Sequence, residues 1–490
     1  MNKVSSKEIK MYVEGQITAA QTDSKITTID EAYYSIGKFG KYQLLVYASS
    51  FVTIVSCMMF VFSVPLFLIF PKVSGCISPV TNSTTLCANL EEACTAQQRV
   101  YEDKHFNFVT EFDLACDYVA GTLIPLSFLI GNLLGSLLFS TISDIFGRLK
   151  ILCIGQIGNI VCIGIILLAG DYYWTVLMTG VCGFVVAASG TPTYAFAYDS
   201  FHPDQVKFSG TFINIGFATG EIIIALLMWT GISWRFMCLL ICLWSLTFFL
   251  FHMLLVEPPK FLLSKGKFDA ALENLNHIAD MNGKPLPCTF VLRRCEVDVG
   301  TELRSEVSSK IIVKMLFEKD VMFPLLITMI LYFSCGYIYY GISMNIQNYG
   351  GNIYKNACLN GIVEVIAVIV SGITMSKWGI RLPFAVFFAI SGTFMMLIVP
   401  IADNPEIVSL FIAFGKFGIS ACFNFVYVIA GEVFPTRIKN TVLGLCLIAD
   451  RIGSVLGPIF GLHKSLFQIV SAILSISCVL IVIQFPLKMQ

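Results

Sequence analysis

Twelve stretches of about 20 or more mostly apolar residues run through this chain, each long enough to cross a hydrocarbon core of roughly 30 Å as a helix. They lie near 42–70, 118–142, 150–169, 172–198, 208–229 and 233–256, then near 320–345, 352–376, 381–402, 407–430, 441–462 and 464–485. In lipid every backbone N–H and C=O must be satisfied within the segment, so runs of this length fold as helices. Of the 490 residues 56% are hydrophobic and 13% charged, against about a quarter charged in a soluble domain. Two long polar segments, 71–117 and 257–319, interrupt the series, and the second divides it six and six. The expected fold class is an all-α membrane protein with twelve transmembrane helices in two six-helix bundles. The expected organisation is a cytoplasmic N-terminus (1–41), a first bundle (42–256, with the loop 71–117), a cytoplasmic central loop (257–319), a second bundle (320–485) and a short tail (486–490).

Lysine and arginine set the expected orientation, because they collect in cytoplasmic loops. With both termini inside, about 24 of the 32 fall in inside segments and about six in outside ones. Segment 71–117 is then extracellular. It carries Cys76, Cys87, Cys94 and Cys116, an even number of disulfide candidates in an oxidising compartment, and the acceptor sequon Asn82-Ser83-Thr84. That combination points to glycosylation at Asn82 and to the plasma membrane. The first 41 residues contain no apolar h-region, which argues against a cleaved signal peptide. Zero formal net charge gives no footprint for nucleic acid. No Cys/His spacing suits a metal, no phosphate-binding G-x-x-x-x-G-K-[ST] loop suits an ATP motor, and no Ser/His/Asp arrangement suits an enzyme. The expected partners are therefore lipid, a small solute, and H+, Na+ or a counter-substrate as the coupling partner, with no cofactor.

The turn between the second and third runs reads Ser143-Asp144-Ile145-Phe146-Gly147-Arg148-Leu149-Lys150. Gly147 can take the positive φ that a tight helix reversal needs, and Asp144 and Arg148 are close enough to pair. The turn resembles the D-x-x-G-R-x-[RK] loop of the major facilitator superfamily. Further segments, in the same order, resemble its organic cation/anion/carnitine transporter family. Ile36-Gly37-Lys38-Phe39-Gly40 resembles the approach to span 1, and Thr110-Glu111-Phe112-Asp113-Leu114-Ala115-Cys116 resembles TEWDLVC. Glu257-Pro258-Pro259-Lys260-Phe261-Leu262 is similar to ESPRWL. Tyr339-Tyr340-Gly341 with Gly361-Ile362-Val363-Glu364 resembles spans 7–8, and Gly415-Lys416 with Glu432-Val433-Phe434-Pro435-Thr436-Arg437 resembles GK…AELYPT-x-x-R. The sequence departs from the pattern at Ser140 (usually Gly), Asp199 (usually Glu), Ile366 (usually Pro) and Ser376 (usually an acid), and at a fourth span without the usual Arg. The resemblance implies transport of small organic ions by alternating access. It also implies that Asp144, Gly147, Arg148, Lys150 and Asp199, with Glu432 and Arg437, form a gating network in which Asp144 and Arg148 hold the bundles together when the cavity opens outward.

Ionisable residues inside spans are costly and mark function by default. Five stand out: Glu221, Glu364, Lys416, Asp450 and Arg451. Arg451 lies in a stretch resembling the family's substrate helix, where anion-transporting members carry Arg and cation members an acid. It either holds a substrate carboxylate or pairs with another buried acid. Glu221 shares a helical face with Asn214 and Phe217, and either lines a cavity or packs between helices. Glu364, Lys416 and Asp450 read first as structural or coupling residues. In span 7, Phe333, Tyr337, Tyr340 and Met344 make an aromatic stripe suited to stacking on a flat or quaternary organic ion, or to packing. The expected substrate is an organic anion or a carboxylate-bearing zwitterion rather than a cation. The alternatives are a sugar or other polar-solute carrier of the same superfamily and a non-transporting membrane sensor on the same scaffold.

Overall fold

The computed structural model describes residues 26–27, 29–69, 73–77, 84–85, 94, 98–101, 106–284, 286, 291–292, 318–401, 404–434 and 439–484. Asn82, Cys87 and Arg437, and the side chains of Cys76 and Glu432, lie outside the described residues.

Among the described residues, twelve helices are long and apolar enough to cross a membrane. Spans 1 to 6 are Lys41–Leu66, Val119–Phe146, Arg148–Leu167, Tyr172–Ser200, Gly210–Trp229 and Trp234–His252. Spans 7 to 12 are Val321–Met344, Ile353–Trp378, Arg381–Ile401, Pro405–Tyr427, Thr441–Phe460 and Lys464–Gln484. Apolar side chains stay exposed along them, among them Leu134, Leu138, Ile154, Leu243, Ile373 and Ile473, as a lipid-facing surface requires. Span 2 runs on to Phe146, beyond the expected end near 142, so Asp144 belongs to its last turn and Gly147 alone makes the reversal into span 3. Gly147 has φ +123°, a conformation that favours glycine, and a Cβ there would fall 2.5 Å from Glu257 Oε1 and push that carboxylate aside.

Helices inside a bilayer gain little from apolar burial against one another and approach closely where residues are small. Spans 7 and 11 meet in this way: Gly453 and Gly457 lie against the carbonyl oxygens of Phe333 and Tyr337, and a Cβ would stand only 2.3 Å and 2.1 Å from them. Between the two halves, spans 5 and 8 are in contact, with Gly361 against Ile222 and Ala218 and Gly372 facing Thr211. Spans 5 and 8 therefore touch at two points along the seam.

Polar structures cap the two ends. At the end bearing Cys116, strands Val73–Ile77, Thr84–Thr85 and Gln98–Tyr101 form a small antiparallel sheet, and a disulfide joins Cys94 to Cys116. Glu111 accepts a hydrogen bond from Trp234 Nε1 at 2.8 Å and pairs with Arg235, fastening the loop to the start of span 6. At the opposite end, helices Pro259–Ser264 and Phe268–Asn282 follow span 6. Asn282 Oδ1 accepts from the Tyr42 N–H at 3.0 Å, which docks the second of these on the start of span 1.

Candidate functional site

The charged residues of the spans gather at the seam. Lys416 on span 10 is fully buried, and Glu221 on span 5 and Glu364 on span 8 are each only 3% exposed. The Lys416 Nζ lies 3.2 Å from Glu364 Oε2 and 4.0 Å from Glu221 Oε2. It donates to Ser343 Oγ at 2.5 Å and sits 3.4 Å from the centroid of the Tyr339 ring, in cation–π contact. Tyr339 Oη in turn donates to both Glu364 oxygens, at 2.8 and 3.1 Å. Phe62 of span 1 flanks the ammonium at 5.8 Å. Glu221 and Phe62 come from the first half, whereas Tyr339, Ser343, Glu364 and Lys416 come from the second. Only closure of the halves assembles the set.

A neutral belt crosses the same seam. Tyr194 Oη on span 4 donates to Asn214 Oδ1 at 2.8 Å, Asn214 Nδ2 donates to Asn424 Oδ1 at 3.1 Å, and Asn424 Nδ2 donates to Ser371 Oγ at 2.9 Å. The face bearing Asn214, Phe217 and Glu221 thus looks across the interface. Asn214 and Glu221 both reach the second half, while Phe217 packs half-buried in the core between them.

Arg451 stands apart from Lys416 but one residue away through span 7: its Nη1 donates to Tyr340 Oη at 3.3 Å, and Tyr340 follows Tyr339. Its side chain keeps 20% of its surface accessible, and its buried Nε makes no hydrogen bond among the described residues. The neighbouring Asp450 is fully buried, neither of its carboxylate oxygens is hydrogen-bonded among the described residues, and its Oδ2 is 3.8 Å from that Nε. A planar cation with unsaturated donors, held by a tyrosine and open on one side, can receive a carboxylate.

The aromatic stripe of span 7 divides. Tyr340 reaches Arg451, but Phe333 stacks on Tyr337, and Tyr337 packs against Phe460 and Phe467 of spans 11 and 12. Met344 is buried at the end of the span. Phe333 and Tyr337 therefore sit among helices of the second half, away from the charged centre. Tyr339 has the central place instead, with Ser343, Tyr194, Asn424 and Ser371. Sequence reasoning singled out none of these as site residues. For Tyr339 and Ser343 the available signal was spacing, since Ser343 lies one turn beyond Tyr339 on the same face.

At the Asp144 end, Arg148 Nε pairs with Asp199 Oδ2 at 2.6 Å and Nη2 with Asp144 Oδ1 at 3.3 Å. The Glu257 carboxylate accepts the backbone N–H groups of Arg148 and Lys150 at 3.1 and 3.2 Å, and so caps the first turn of span 3. Lys260 pairs with Asp30 at 2.9 Å and donates to the Phe201 carbonyl at 2.9 Å. Among the described residues, all these contacts lie within the first half and its flanking segments. Neither Asp144 nor Arg148 pairs with the second bundle among the described residues, and Arg437 and the Glu432 side chain lie outside them. The motif instead locks spans 2, 3 and 4 to the segment after span 6, because a single-glycine turn holds Arg148 against span 4 and Glu257.

A sequence profile of the Major Facilitator Superfamily matches residues 112–458. The chain is 25% identical over 412 residues to the organic cation transporter-like protein of Drosophila melanogaster, covering 81% of this chain and 70% of that one. It is 27% identical over 454 residues to the solute carrier family 22 member 15-like protein of Xenopus tropicalis, covering 89% and 88%, and 24% identical over 385 residues to human solute carrier family 22 member 2, covering 78% and 68%. In fold it is similar to the xylose transporter XylE from E. coli in a partially occluded inward-open conformation, with a TM-score of 0.62 at 14% identity over 92% of this chain and 98% of that one. The profile spans most of the chain, its curated relatives include solute carrier family 22 members, and the architecture is that of a solved transporter: the chain belongs to the Major Facilitator Superfamily and is a membrane transporter, not an enzyme.

Proposed function

We propose that this transporter carries small organic ions across the plasma membrane by alternating access, and that it prefers carboxylate-bearing anions and zwitterions to simple cations. The observation that carries the preference is Arg451, a guanidinium deep in span 11 whose side chain keeps 20% of its surface accessible and whose Nη1 donates to Tyr340 Oη. A substrate carboxylate would pair with the accessible part of the guanidinium, and a purely cationic substrate would be repelled. Glu221, on the opposite wall of the seam, suits the cationic group of a zwitterion. Rocking of the segment 42–256 against 320–485 would open the seam at alternate ends. The lysine and arginine asymmetry supports cytoplasmic termini and an extracellular Cys94–Cys116 end. Uptake into vesicles of radiolabelled benzoate, glycine betaine, tetraethylammonium and a hexose tests the reading. Saturable uptake of benzoate or betaine above tetraethylammonium is expected. Preference for tetraethylammonium would reverse the assigned charge, and hexose uptake alone would make the protein a sugar carrier.

A further inference from the structure

The charges at Glu221 do not balance. Two buried carboxylates face one ammonium, which leaves one negative charge in excess when all three are ionised. Isolated buried charge costs several kcal/mol, so one carboxylate must be neutralised for the halves to close. The hydrogen bonds say which. Glu364 receives only donors, Tyr339 Oη on both oxygens and Lys416 Nζ at 3.2 Å, a set suited to an ionised carboxylate. Glu221 Oε2 has no hydrogen-bond partner among the described residues and stands 4.0 Å from Nζ. Glu221 also lines a narrow cleft at the Cys116 end with Phe62, Pro65, Leu66, Ser343, Ile346 and Ala357. Span 1 walls this cleft with apolar residues only. The other titratable groups facing Glu221 are Lys416 on span 10, Glu364 on span 8 with Cys358 beside the cleft wall, and Tyr339 on span 7. On span 4 the nearest is Tyr194, which reaches Asn214 two turns away. Parting of the halves at this end carries Glu221, on the first half, away from Lys416 and into water.

We propose that Glu221 is a proton site at which a proton and the cationic group of the substrate replace one another, so that movement of a zwitterion in one direction is exchanged for a proton in the other. The inference rests on the transport reading above. The step balances: a proton from water bonds to a Glu221 oxygen as the ion pair with the substrate's ammonium breaks, and the charge at the seam is unchanged. Either neutralised form can close, while the bare carboxylate cannot.

Two measurements separate this site from the transport reading. The first is the infrared difference spectrum of the purified full chain against Glu221→Gln at neutral pH. A protonated-carboxyl C=O stretch is expected in the wild type and missing from the variant. It should also vanish in Glu364→Gln, where Lys416 is left to Glu221 alone. An unchanged band in Glu221→Gln would overturn the proton site. The second uses proteoliposomes with pyranine trapped inside. External glycine betaine should raise the lumenal pH, and its apparent affinity should fall by about tenfold per pH unit on acidification where Glu221 is protonated. Glu221→Gln should abolish both effects and weaken betaine binding, because it removes the carboxylate that takes both the proton and the ammonium. Betaine uptake without lumenal pH change would overturn the exchange. An intact infrared band with no uptake of any probe would overturn the transport reading and leave the proton site standing.

Discussion

Arg451→Ala removes two things at once, and the structure shows how to separate them. Its Nε is 3.8 Å from Asp450 Oδ2, a distance at which unit charges attract by about 4 kcal/mol at an effective dielectric near 20. Asp450 is fully buried and has no hydrogen bond to either oxygen. The single variant therefore strands a buried charge, at a cost of about 3–5 kcal/mol, and is expected to lose yield and thermal stability in detergent. Adding Asp450→Asn to it removes the stranded charge and should restore most of that stability. In the restored double variant, the missing guanidinium acts on substrate alone. Loss of one buried charge-assisted pair to a carboxylate is worth about 2–3 kcal/mol, or roughly 30- to 150-fold in affinity. Competition of benzoate and of tetraethylammonium against a labelled substrate reads this directly. Benzoate should weaken by that factor, tetraethylammonium should not, and Arg451→Lys should recover only part because it keeps the charge and loses the planar fork. Wild-type benzoate affinity in the double variant would show Arg451 to be a structural partner of Asp450 and nothing more.

Other outcomes follow from the ends of the spans and from their packing. Asp199→Asn breaks a 2.6 Å pair and should slow turnover by about 1–2 kcal/mol, whereas Asp144, 61% exposed and 3.3 Å from Arg148, should matter by no more than about 1 kcal/mol. Transport normalised to surface biotinylation checks the order, and a larger effect at Asp144 would refute it. Gly453→Val drives a side chain into the Phe333 carbonyl and should lower the melting temperature, while Gly444→Ala, where nothing lies within 4 Å, should not; equal effects would contradict the close approach of spans 7 and 11. Cys94→Ser should cost about 2–4 kcal/mol of stability and leave Cys116 open to a membrane-impermeant maleimide added outside cells. Asn82→Gln should abolish the glycosidase-sensitive band shift, and labelling of segment 71–117 from the cytoplasm would invert the topology.

What the sequence by itself determined is what depends on single segments. Hydropathy over a run of about 20 residues is a local property, so all twelve spans were legible, with ends displaced by a few residues as at Phe146. A charge in lipid marks itself by its cost, so Glu221, Glu364, Lys416, Asp450 and Arg451 could be named before any contact was known. The turn at Gly147 was legible too, because an i, i+4 Asp144–Arg148 pair and a glycine are features of the chain itself. Partnership was not legible. Nothing in the order of residues says that Lys416 would divide its charge between Glu364 and Glu221, since those three stand on different spans and one of them in the other half. Nor could the sequence choose Tyr339 over Tyr337. Adjacent helix positions point about 100° apart, an apolar span carries aromatics on every face, and only packing against neighbouring helices fixes its rotation. Gly453 and Gly457 draw span 7 against span 11, and that contact commits Phe333 and Tyr337 to the second half while Tyr339 turns to the seam. The packing of spans 2, 3 and 4 likewise decides that the Arg148 guanidinium pairs with Asp199, because a guanidinium pairs with whichever acid the tertiary fold brings within reach.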